Sequence, residues 1–183
     1  MLKVDICNQA LSLIGEAPIH SFEDNTENAR RCSALYDSTR KALLRMHPFN
    51  SCTKRLQVQP MNDKPDFGYS HQFQLPDDLI RVIDANTTDY TLETDKLLSN
   101  SELLNIIYVF DNKNETTFDS MLVECLSLLL GSKLCKAVTG SQATADSLYQ
   151  QCQQMMEQAK AVQAQEKPSP TFGDYDYISL LER

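Results

Sequence analysis

Residues 118–135 read FDSMLVECLSLLLGSKLC, and in them Phe118, Met121, Cys125, Leu128, Ser132 and Cys135 step by three and then four. That rhythm keeps one face of an α-helix turned to a partner. Two other stretches carry the same seam. Ala29, Cys32, Tyr36, Thr39, Leu43 and Met46 precede it; Ala145, Leu148, Cys152, Met155, Ala159 and Val162 follow it. Between about residues 52 and 113 the rhythm is lost and short alternating segments replace it. The expected fold class is α+β, mainly α. An antiparallel helical bundle would draw on both chain ends, residues 1–50 and 114–166. A small antiparallel β module, 51–113, would be inserted between them, and an extended C-terminal tail, 167–183, would follow. This layout suits a structural part with a projecting module better than an enzyme built around a pocket.

Local signals set the expected boundaries. A first helix over about 2–14 meets Gly15, the usual residue just past a helix end. Asp24 followed by Glu27 predicts a capping box for a second helix, which stops at His47-Pro48 because the residue before proline avoids the α region. Lys54 to Gln59, Tyr69 to Leu75, Ile80 to Ile83, the hairpin arms Tyr90–Glu93 and Lys96–Leu98, and Leu103 to Phe110 read as strands. Four or five of them predict one antiparallel sheet with helices over one face. Helices over about 115–138 and 142–165 are joined only by Gly140-Ser141, which predicts antiparallel neighbours.

The formal net charge of −8 argues against a nucleic-acid binder, whose footprint is a basic patch. Arg30, Arg31, Arg40, Lys41 and Arg45 share a helix with Glu27 and Asp37 and read as a solvated face. Six cysteines show no CxxC pair and fall mostly on seam positions, where they act as small apolar residues. No signal peptide is visible, and no apolar run approaches the ~20 residues a bilayer needs. A soluble protein of a reducing cytosol is expected.

No catalytic, cofactor-binding or metal-binding residue is assigned. His20, His47 and His71 are isolated. His47 is expected to face the negative pole of its helix. Cys52 with His71 would be a nucleophile and base on adjacent strands. Among the carboxylates, Glu16 and Glu23 bracket an apolar turn, Asp77 or Asp78 is expected to cap the turn after Pro76, and Glu124 to reach solvent. The tail beyond Pro168 and Pro170 differs from an ordinary polar tail. Phe172, Tyr175, Tyr177, Ile178, Leu180, Leu181 and Arg183 are its partner-docking candidates.

The order of these parts resembles the tail tubular protein A family, the head–tail adaptors (connectors) of short-tailed bacteriophages. Ala10 to Ile19, ALSLIGEAPI, is similar to that family's LxxIGExPV opening. Asn28-Ala29-Arg30-Arg31-Cys32 is similar to its NAxxA helix start, and Phe73 to Val82, FQLPDDLIRV, to its YxLPxDxLRV segment. Two helices then follow a strand bearing Tyr108, and a short tail closes on Arg183. The family's usual tryptophan after the second helix is replaced here by His47-Pro48-Phe49. The resemblance implies a virion protein at the head–tail junction, assembled in the host cytoplasm. It would be a homo-oligomeric ring, a dodecamer, joining the portal protein to the tail nozzle protein. DNA would pass its channel without specific binding, and no membrane is implied. The alternatives are a cell-wall (peptidoglycan) hydrolase and a non-viral cytosolic helical binding module.

Overall fold

In chain order the described residues form two helices, six strands and two more helices, an α+β arrangement in which helix predominates. The structure, a computed structural model, describes residues 2–166. The helices are α1 (Lys3–Leu13), α2 (Glu27–Met46), α3 (Ser120–Val138) and α4 (Gln142–Gln165). The strands are β1 (Thr53–Val58), β2 (His71–Gln74), β3 (Leu79–Ala85), β4 (Tyr90–Glu93), β5 (Lys96–Ser99) and β6 (Leu104–Phe110).

Each helix end has an identifiable cause. After α1, Gly15 takes a left-handed φ of 75°, its N–H reaches the Ser12 carbonyl and the Glu16 N–H reaches that of Leu11. That double bond satisfies carbonyls the helix would otherwise orphan. α2 opens one residue before Asn28 with Thr26 as its cap, Oγ1 accepting from the Ala29 N–H. The expected Asp24 box does not form, because the Asp24 carboxylate is taken by the N–H groups of His20 and Ser21. Those two donors hold its pKa below the usual carboxylate range. α2 ends at His47, extended before Pro48. α3 begins at Ser120 rather than near 115, since Asp119 caps it through the Leu122 N–H and Glu115–Thr117 forms a separate 3₁₀ turn.

α3 is apolar around most of its girth, with Glu124, Lys133 and Lys136 as its charged exceptions, as befits a helix largely covered by others. α1, α2 and α4 all pack against it. One continuous core unites Ile6, Cys7, Ala10 and Leu11 with Tyr36, Leu43 and Leu44, and with Leu122 to Cys135, Leu148, Cys152 and Ala159. Gly131 allows the closest approach: a Cβ there would lie 3.3 Å from the Ala10 carbonyl oxygen. The seams hold in their middles and run out at their ends, where Met46 and Val162 are 45% and 44% exposed.

The strands form two three-stranded antiparallel sheets, β1-β6-β3 and β2-β5-β4, instead of one sheet of four or five strands. The reason is local. β3 carries two register shifts against β6, and the Leu75 N–H turns to the Asp95 carbonyl beyond β4, which ties β2 to the hairpin. Phe73, Leu75 and Leu97 from one sheet meet Leu104, Ile106 and Tyr108 from the other in a second, smaller core. Val109 points the opposite way along β6 and joins the helical core.

Candidate functional site

Where the helices meet the sheets, the least exposed charge in the described chain is Arg40, at 2%. Sequence placed it on a solvated face; α2 instead turns it inward between Tyr36 and Leu44. Its guanidinium donates to Asp37 Oδ1 at 3.0 Å and to Asp111 Oδ1 at 2.7 Å, with Glu115 Oε1 4.0 Å away. The Tyr36 hydroxyl donates to Glu115 Oε1 at 3.2 Å, and burial followed by that carboxylate pushes the Tyr36 pKa up. Arg40 Nε has no partner. Asp111 and Glu115 follow β6 directly, so the cluster ties α2 to the passage from sheet to α3.

A second junction lies where α4 ends. The His47 ring is buried, edge-on to Phe49 at 4.7 Å between centroids. The Gln163 side-chain NH₂ donates to His47 Nε2 at 2.8 Å and to the Pro48 carbonyl, and its oxygen accepts from the Asn50 N–H. His47 therefore meets α4 rather than the pole of its own helix, because its backbone N–H already caps Leu43. Burial holds its pKa below the ordinary histidine value. Asn50 also donates to the Glu166 carboxylate. The docking candidates Phe172, Tyr175, Tyr177, Ile178, Leu180, Leu181 and Arg183 lie outside the described residues.

The reactive side chains are engaged structurally. All six cysteines are buried and unbridged. The Cys32 thiol and burial push Cys7 up, and the Cys152 thiol and burial do the same to Cys125. Cys52 sits in a 3₁₀ turn within the helical core, whereas His71 opens β2 in the sheet that lacks β1. They are not on adjacent strands as expected, since β1 pairs with β6 and β2 with β5. Glu16 accepts from the Asn28 amide, and Glu124 is exposed at the rim of a shallow hollow shared with Glu115. The expected Asp cap after Pro76 is replaced by a Leu79 N–H to Pro76 carbonyl bond. Asp78 instead accepts from Lys54 at 2.8 Å and from the Tyr108 hydroxyl at 3.1 Å. Burial and that carboxylate push the Tyr108 pKa up to about 12. Among the described residues no group of three His, Cys, Asp or Glu could hold a metal ion. No described helix is long and apolar enough to cross a membrane.

Two surface features remain. At the outer end of the β module, Phe67 is 87% exposed beside a cleft of about 500 Å³ lined by Lys64, Asp66, Gln72, Glu93 and Lys96. On the helical body a slot of about 440 Å³ lies over the last turns of α3, between Leu35 of α2 and Ala145 and Tyr149 of α4. Sequence patterning missed the slot because it forms only where three helices splay. The signal available was Lys133 and Lys136 breaking the apolar run of α3. No protein-family model matches the chain, and no curated protein matches it.

Proposed function

We propose that this chain is the subunit of a head–tail adaptor of a short-tailed phage: an assembly protein, not an enzyme. In this reading the helices of both chain ends act as one antiparallel bundle, the ring body. The β module projects toward one partner, and the tail, 167–183, grips another molecule. The ring, a dodecamer in the resembled family, joins portal to nozzle at the head–tail junction, and its acidic wall lets DNA slide by repelling phosphates.

The observation that carries this reading is the division of the core. Residues from both chain ends share one apolar interior, while the sheets keep a second one of their own. That gives a stiff body with a separately packed projection, as a part wedged between two larger assemblies requires. Two of the carboxylates weighed for hydrolysis support it too: Glu16 is tied to an amide, and Asp78 to a lysine and a tyrosine. The test is electron microscopy of the purified chain mixed with portal rings encoded by the same genome. A second ring stacked on one portal face is expected; portal rings left bare at tens of micromolar protein refute the proposal.

A further inference from the structure

We propose that the slot over the end of α3 receives the acidic, apolar segment 172–182 of a second copy of this chain. This rests on the ring reading but names the surface that would link one subunit to the next.

The slot's chemistry is unusual for this molecule. Leu35, Ala145 and Tyr149 give it apolar walls. Its floor carries Lys133 and Lys136, neither of which has a carboxylate partner among the described residues. Lys133 is half-buried, its pKa lowered by that burial, and it donates only to Thr39 Oγ1 at 3.1 Å. The slot's own acid, Asp146, already accepts from Gln142 at 2.7 Å. One partly desolvated cation, Lys133, and an exposed one, Lys136, beside apolar walls call for a ligand with carboxylates next to aliphatic groups.

The chain contains such a ligand. Residues 172–182 read FGDYDYISLLE, with three acids and no Lys or Arg. Ile178, Leu180 and Leu181 match the walls, and Asp174, Asp176 and Glu182 match the lysines.

The ring reading calls for a contact between copies, and chain length allows a neighbour's slot as well as the segment's own. Tyr149 and Glu166 lie 17 residues apart along α4, about 26 Å. By sequence alone, Pro168 and Pro170 disfavour helix at Lys167 and Ser169. Slot and segment are different stretches of the chain. Their contact is therefore heterologous, the kind that repeats into a ring.

The test uses full-length protein throughout. One variant, I178D/L180D, spoils the segment; another, K136E/Y149D, spoils the slot at two exposed positions. Sedimentation velocity follows each from about 10 to 500 µM, a span that detects contacts of ordinary weak affinity. Wild type is expected to associate as concentration rises, and each variant ~100-fold less, since a carboxylate is forced onto an apolar wall or onto another acid. An equimolar mixture of the two variants should give a heterodimer and nothing larger, because it retains one sound segment and one sound slot. Unchanged melting curves certify that both variants fold. A monomeric wild type at the highest concentration overturns the proposal, as do variants that associate normally or a mixture that stays monomeric. A monomeric wild type alongside a mixture that still pairs would mean that the segment occupies its own slot. Portal attachment is scored in separate samples, so loss of the adaptor reading and loss of this contact are told apart.

Discussion

The helical body and the β module bury their side chains on different terms. The body has four helices around one apolar interior, with the other three all packed on α3. The module has six short strands around six buried residues, supplemented by polar ties such as Lys54–Asp78–Tyr108 and Ser70–Asn100. A large interior spreads the loss of any one contact; a small one concentrates it. The two regions should therefore fail separately, except at Arg40, which is wired to both.

The largest effect is expected at that shared point. Arg40→Ala leaves Glu115 without its cation and Asp111 with only the exposed Lys41 and Lys113, a loss of about 3 kcal/mol. Urea unfolding should show body and module destabilised together; a loss under 1 kcal/mol would mean the cluster does not join them. Next, Phe73→Ala removes the largest side chain wholly enclosed in the module's core, at about 3 kcal/mol. Hydrogen exchange should quicken in β2, β4 and β5 while α3 keeps its protection. Equal acceleration in α3 would erase the distinction drawn here.

Thr94 tests the module from the stabilising side. It turns the β4–β5 hairpin with a φ of 53°, a left-handed conformation that β-branched residues avoid. Thr94→Gly should raise stability by about 0.5–1 kcal/mol, read as a higher urea midpoint with the same slope. The smallest effect belongs to the body. Because His47 is held below the ordinary histidine value, the unfolded chain takes up its proton first as pH falls. Its stabilising share is complete above pH ~6.5 and is withdrawn as pH drops from there through the folded value. His47→Asn should therefore lose less stability between pH 7.5 and 5.5 than wild type does. An identical pH slope in both would remove His47 as the cause.

The same contrast governs what could be read from sequence. The three long helices announce themselves through spacing that survives over five or six turns, so Cys32, Tyr36, Cys125, Leu128 and Cys152 fell where expected, while the short α1 was legible from Gly15 at its end. Their ends were less so, because Asp24 and Thr26 are both competent caps and only tertiary geometry chooses between them. The strands were legible as segments, but which strand pairs with which depends on contacts such as Leu75 to Asp95, twenty residues apart. Arg40 was misread because its two enclosing carboxylates lie some seventy residues along the chain. Nor does spacing reveal that the Asn8 amide holds both the N–H and the carbonyl of Ile19. The slot over α3 had no periodic signature at all.

All six thiols lie within the helical interior and none lies between the sheets. A brief pulse of alkylating reagent is thus a selective stopwatch: mass gained counts openings of the helices alone, while fraying of the sheets passes unrecorded. It also leaves the surface clear for a single engineered cysteine to carry a dye, with no native residue needing removal first.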